Sequence, residues 1–204
     1  MGVYDDRVLP HLVNLTCGAK GMDRYRTRAI EGLAGEVVEI GFGTGLNAPH
    51  YPPEVTRVWA VEPSLRSRDL ARDRIRASAT RIEHVGLDGQ HLPLPDDSCD
   101  GALSTFTLCT IPDPQLALAE MRRVLRTGAE LHFLEHGLAP DTSVARWQSR
   151  IEPWQKRLAG GCHLTRDATD MITEAGFTDL RITTRYVKGP KPWSYFSYGV
   201  ATNP

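Results

Sequence analysis

The chain has 204 residues, with 24 Lys+Arg against 25 Asp+Glu and a formal net charge of −1. That near balance removes the electrostatic reason to expect nucleic acid or an acidic membrane as the main partner, and the length favours one domain with a sizeable core. Four cysteines (Cys17, Cys99, Cys109, Cys162) with no C-x-x-C pair, and seven histidines with no clustered Cys/His spacing, argue against a disulfide framework, so a reducing compartment and no metal are the expectations.

The opening stretch MGVYDDRVLPHLV carries early acids and no long apolar run. It fits neither a signal peptide nor an anchor, so a cytoplasmic location without stable membrane insertion is expected. Residues 1–35 read as a helical arm, with Arg7–Leu33 its helical part and no strand of its own. From Val37 onward, short apolar runs (Val37–Ile40, Val58–Val61, Ile82–Val85, Ala102–Phe106, Leu131–Leu134) have the length of strands buried on both faces. Between them, Ser64 predicts the cap of a helix reaching about Ala79. Asp113-Pro114 predicts the start of another, which Gly128 ends. Strand alternating with helix through short loops predicts a doubly wound parallel sheet with helices on both faces.

The last third differs. Trp147, Ile151, Trp154 and Leu158 recur at helical spacing, with Pro153 predicted to kink or divide the segment, and a second helix spans from about Thr165 to Gly176. DLRITTRYV and WSYFSYGVAT, separated by KGPKP, read as two consecutive strands and therefore as an antiparallel hairpin at a sheet edge. The organisation is one domain, 1–204, with a cofactor-binding core over 36–136 and substrate-side helices and a terminal hairpin over 137–204.

In an open parallel sheet, ligands bind beyond the carboxyl ends of the strands where the chain order reverses. EIGFGTGLN places Gly41, Gly43 and Gly45 just after the first strand, and Glu62 with Pro63 ends the second. Missing side chains let a ligand approach backbone N–H groups, and a strand-end acid can accept both ribose hydroxyls of an adenosine. A dinucleotide site usually reads G-x-G-x-x-G and meets pyrophosphate; here the spacing is G-x-G-x-G behind Glu39, which would repel pyrophosphate. That acid suits a cofactor with an ammonium and a sulfonium, favouring S-adenosylmethionine, with S-adenosylhomocysteine as product, over NAD. Asn47 closes the motif. Asp88 and Gly89 after the third strand are placed for adenine, and Thr105 and Phe106 form the floor beneath the methionine end.

EIGFGTGLN, VEPS, LPLPDDSCD and EMRRVLRTGAELHFLEH together resemble the class I S-adenosylmethionine-dependent methyltransferases, from about Tyr4 to Ala201. The resemblance implies a seven-stranded sheet with an antiparallel last strand. Thr127-Gly128-Ala129 departs from the usual Pro-Gly-Gly at a turn remote from the cofactor. TFTLCTIPDP, FLEHG and GCHLTRD are similar to the alkyl-thiol methyltransferase-like family, whose animal members are microsomal S-methyltransferases. The implied activity is methyl transfer to a small molecule, a lipophilic thiol in the finer reading. C- or N-methylation of a quinone or lipid-type acceptor is the alternative, and a non-catalytic S-adenosylmethionine-binding protein is the reading from another class.

Methyl transfer from a sulfonium needs alignment more than acid catalysis, but a thiol acceptor, with a free pKa of about 8.5, must ionise. His136 after the fifth strand and His163 in GCHLTRD are the candidates to assist, against readings as a strand-end histidine bonding a loop carbonyl and a capping or solvated histidine. His11 on the arm is a weaker third. Cys109 and Cys162 read as packed residues or as thiol partners. Tyr25, Trp147, Trp154 and Trp193 are candidates for an apolar substrate pocket, although the tryptophan stripe also fits a core face.

Overall fold

The computed structural model describes Tyr4 and residues 7–204, apart from the Lys20 side chain; the remaining residues of the opening stretch, read above as neither signal peptide nor anchor, lie outside it. The arm consists of α1 (Leu9–Cys17), a short turn at Lys20–Met22 and α2 (Asp23–Ile30). Then follow β1 (Gly35–Ile40), β2 (Val55–Val61), α3 (Leu65–Ala77), β3 (Arg81–Gly86), β4 (Cys99–Thr105), α4 (Pro114–Val124) and β5 (Leu125–His136). The chain closes with α5 (Thr142–Leu158), α6 (Ala168–Glu174), β6 (Thr178–Tyr186), α7 (Lys191–Ser194) and β7 (Tyr195–Thr202).

The seven strands form one sheet in the order β3-β2-β1-β4-β5-β7-β6. The pairs from β3 to β5 are parallel, and β7 runs antiparallel to both β5 and β6. Alternation along β1 separates two cores. Val38 and Ile40 pack with Leu118, Met121, Phe133 and Ile172 under α4 and α6. Val37 packs with Ile30, Leu33, Val58 and Leu103 on the other face, beside the arm. The order reverses between β1 and β4, so their carboxyl ends open the crevice where a ligand belongs.

Caps behave as the sequence dictates: Ser64 accepts from the Ser67 N–H, and Asp113 from the Leu116 N–H. Several expectations need correction. β3 is only half-buried, because it is the outermost strand of the sheet and pairs with β2 alone among the described strands. α4 ends at Val124, and Gly128 lies inside the longer β5 at φ 82°. The second late helix is shorter than expected, starting at the Asp167 cap and stopping at Glu174.

Pro153 does not divide α5, which is continuous. Pro153 and Ser149, four residues before it, are both exposed, so a carbonyl freed by the missing N–H faces water. The tryptophan stripe is neither core nor enclosed pocket: Trp147, Trp154 and Leu158 are each more than half exposed. α5 is anchored instead by Val144 and by fully buried Gln148, which donates to the Gly137 and Pro192 carbonyls and accepts from the Ala139 N–H.

Candidate active site

At the crevice, the loop after β1 turns through Gly41, Gly43 and Gly45, all at positive φ. Gly43 donates its N–H to Glu62 Oε2 at 2.7 Å, and Ser64 donates its N–H to Glu62 Oε1 at 2.8 Å. Glu62 is nearly buried, and burial pushes its carboxyl pKa up against those two bonds. Each oxygen keeps acceptor capacity beyond its one backbone bond. Pro63 beside it is exposed. A Cβ added to Gly43 would meet nothing nearer than Gly41 O at 3.8 Å, so the loop faces open space there, as a ligand lying on the backbone requires. This site therefore fits an adenosine-bearing cofactor.

Glu39 has no direct line to the crevice. It is fully buried, Asn47 Nδ2 donates to its Oε1 at 2.8 Å, and the Tyr51 hydroxyl donates to Oε2. Burial raises its pKa to about 7, moderated by those bonds. Its influence reaches the loop through Asn47, which also donates to Thr105 Oγ1 at 2.9 Å. Phe106 follows in a left-handed conformation, φ 54°. Asp88 is exposed; bonds from the backbone and side chain of Gln90 hold its carboxyl below the usual range. Gly89 next to it is buried, where a Cβ would crowd Ile111.

The residue missed in the sequence is Arg26. It reaches from α2 over the carboxyl edge, donating to Asn47 Oδ1 at 2.7 Å, Thr105 Oγ1 at 3.4 Å and the Cys17 carbonyl at 3.2 Å. Its guanidinium also lies 5.6 Å from the Phe106 ring centre. It is 3% exposed, and its hydrogen-bond partners are all neutral oxygens. Asn14 on α1 accepts from Thr44 Oγ1, so both arm helices touch the site. Arm arginines give no periodic signal, which is why only the fold exposes this one.

GCHLTRD proves to be a frame for the loop after β4. The His163 N–H donates to the Cys109 carbonyl, and Arg166 donates to the Leu108, Ile111 and Pro112 carbonyls. Glu135 completes that frame, accepting from Ser104 Oγ and the Thr107 and Leu108 N–H groups. Lacing the two loops together brings Cys162 beside Cys109 and within 3.1 Å of His136 Nε2. The neighbouring Cys109 sulfur first, and then the His136 bond and charge, hold the Cys162 thiol well below the usual range, while the same pairing and burial push Cys109 up. Burial pulls the His136 pKa down, but the Cys162 bond and charge together with the Glu135 charge raise it overall. His163 points elsewhere, to Glu152, and its pKa is lowered by burial first and then by neighbouring Arg166 and Lys156. His11 sits on the surface beside Arg66.

The pocket candidates separate. Tyr25 is buried edge-on against Phe196 and Tyr198, a packing role. Trp193 is exposed, with its N–H bonded to Gln155. Trp193 is thereby tied to α5, the helix that carries Trp147 and Trp154.

Comparison with known proteins agrees with this frame. The family described as "Methyltransferase domain" matches residues 38–133. A thiol S-methyltransferase of Rattus norvegicus is 32% identical over 178 residues, covering 83% of this chain and 70% of that protein. A phosphatidylethanolamine N-methyltransferase of Cereibacter sphaeroides is 28% identical over 55% of this chain and 57% of its own. Among solved structures, a Thermotoga maritima S-adenosylmethionine-dependent methyltransferase, described as a possible histamine N-methyltransferase, superposes with a TM-score of 0.71 at 23% identity, over 98% of this chain and 97% of that one. The glycine loop, the acid ending β2, the strand order and these similarities lead to one conclusion: the chain belongs to the class I S-adenosylmethionine-dependent methyltransferases, in the sequence family that includes the thiol S-methyltransferases, and S-adenosylmethionine is its cofactor.

Proposed function

We propose that this enzyme methylates a small lipophilic acceptor and that the reacting atom is a thiol sulfur. When bound, S-adenosylmethionine supplies a methyl group on a sulfonium whose departure is neutral. In this reading, Glu62 accepts from the ribose hydroxyls, Asp88 and Gly89 meet the adenine, and Gly41, Gly43, Gly45 and Pro63 form the loop wall. Asn47, Thr105 and Phe106 line the amino-acid end, and Glu39 holds Asn47 in place. Arg26, a buried cation with only neutral oxygens bonded to it, suits that end's carboxylate. The arm's task is then to exclude water and fix alignment.

The observation that carries the thiol reading is the soft, polar edge beyond Phe106. The His136 ring lies 6.4 Å from the Phe106 ring, nearly parallel to it, with Cys162 on its far nitrogen. Similarity to thiol S-methyltransferases supports the same acceptor class. His136 is the better placed of the two histidines to assist ionisation, since His163 is committed to Glu152.

A panel of thiols, selenols, amines, phenols and quinols, read by mass spectrometry, tests the proposal, with methylated thiols expected. The rate should rise with pH until the bound thiol is deprotonated, and His136→Ala should displace that profile towards alkaline pH with cofactor affinity intact. No displacement in either His136→Ala or His163→Ala removes both from catalysis. Methylation of an amine or a quinol carbon with every thiol inert would overturn the thiol assignment in favour of an N- or C-methyltransferase, a reading favoured by similarity to the phosphatidylethanolamine enzyme. Cofactor binding without turnover on any acceptor would point to a non-catalytic binding protein.

A further inference from the structure

We propose that Cys109, His136 and Cys162 form a binding site for one soft divalent metal ion, zinc by the donor set, with a fourth position for a ligand from outside the chain. The two sulfurs and His136 Nε2 all lie within 4.8 Å of one another, and the Nε2–Cys162 Sγ pair is at 3.1 Å. Tetrahedral zinc, with bonds of about 2.3 Å to sulfur and about 2.0–2.1 Å to nitrogen, separates such donors by roughly 3.6–3.8 Å. Reaching that geometry takes donor shifts of about 1 Å or less.

The three donors come from the loop after β4, the end of β5 and the loop between α5 and α6. The bond from His163 N–H to the Cys109 carbonyl and the Arg166 clamp hold these segments together without any metal. Preorganisation of this kind lowers the ordering cost of binding. Both cysteines are free and almost wholly buried, so water competes weakly. Two thiolates would neutralise a divalent charge, and thiolate with imidazole selects zinc over the oxygen-seeking ions. Among the described residues no fourth Cys, His, Asp or Glu joins the cluster. Three protein donors with one position left is the pattern of catalytic rather than structural zinc.

The His136 ring places this centre one aromatic ring from the Arg26–Asn47–Thr105 network. Resting on the thiol reading above, the fourth ligand is the acceptor itself. With the metal in place His136 assists ionisation as a ligand rather than as a base: the acceptor thiol loses its proton to solvent on ligation and keeps its sulfur lone pair. That pair forms the new carbon–sulfur bond as the methyl–sulfonium bond breaks, leaving a thioether and neutral S-adenosylhomocysteine.

The test uses the full chain, reduced with a phosphine and titrated with cobalt(II) as a spectroscopic stand-in and then with zinc. The expected result is one equivalent bound, with thiolate-to-cobalt charge-transfer absorption that zinc abolishes. Cys109→Ala and Cys162→Ala should each weaken binding by at least about tenfold, while Cys99→Ala, on the far end of β4, retains it. Absence of the charge-transfer band in reduced wild-type protein, or wild-type affinity in both cluster variants, would overturn the metal site. Adding a methylatable thiol should perturb the cobalt spectrum; an unchanged spectrum overturns acceptor ligation. Because these readouts do not depend on turnover, a failed thiol assay and a failed metal site remain distinguishable.

Discussion

A Cβ added to Gly41 would lie 1.9 Å from Thr107 Oγ1, whereas one on Gly43 would lie in open space. Both residues have positive φ, which costs a side chain roughly 1–2 kcal/mol. Gly41→Ala should therefore lower thermal stability well beyond that figure, because Thr107 is packed against the Ile40 carbonyl. Gly43→Val should retain the fold and lose cofactor binding. Circular dichroism with calorimetry separates the two outcomes, and normal affinity in Gly43→Val would contradict the loop assignment. Glu62→Ala should weaken S-adenosylmethionine at least tenfold, since each bond to a charged acceptor is worth about 1.5–3 kcal/mol. It also removes the acceptor that fixes the Gly43 N–H. Unchanged affinity in folded Glu62→Ala would remove that residue from the site. Glu39 gives a pH signature. Its folded pKa of about 7 exceeds the ordinary 4.5, so the native state keeps a proton that the unfolded chain has lost. Its stabilising contribution is complete below about pH 4.5 and is lost as pH rises through about 7. Glu39→Gln should flatten that part of the urea-denaturation pH profile relative to wild type, by on the order of 1–3 kcal/mol.

At the scale of elements, the two arm helices differ: α2 is packed into the core through Tyr25, Ala29 and Ile30, while α1 is lightly held. Arg26 and Asn14 tie α2 and α1 to the loop and to β4, while Leu12, Val13 and Leu15 remain exposed. The exposed apolar side chains of α1, and the place proposed for Arg26 at the cofactor, predict that amide exchange across 7–33 slows when S-adenosylhomocysteine binds, most in α1. Arg26→Ala should abolish most of that change. Identical protection with and without ligand would make the arm a fixed structural element. The arm's existence was legible as helix without a strand, but its contact residue was not. The strands of the core were legible because burial on both faces leaves uninterrupted apolar runs. The tryptophan stripe misled because helical periodicity reports a shared face and not what covers it, and here solvent does.

For the molecule as a whole, one sheet carries the cofactor half and the terminal hairpin, with β5 paired to β4 on one side and β7 on the other. Ligand stabilisation should therefore appear as a single shifted unfolding transition. At a concentration of about 100 Kd, S-adenosylhomocysteine should add about 2.7 kcal/mol, and Glu62→Ala should lose most of it at the same concentration. Two transitions, with only one shifted, would show that the hairpin half unfolds independently. Among the described residues no helix is long and apolar enough to cross a membrane.

Local order in the chain sufficed for the strand–helix alternation, the caps at Ser64 and Asp113, the glycine loop and the acid ending β2, because each is set by near neighbours and by the two-residue or 3.6-residue period. It did not suffice for Arg26 over Asn47, for the burial of Glu39 behind its own hydrogen bonds, or for the meeting of Cys109, His136 and Cys162. Those depend on strand order, which brings the ends of β4 and β5 together and folds the late loop back onto them. Residues far apart in sequence carry no spacing signal for such a meeting, so only the tertiary structure decides what chemistry they share.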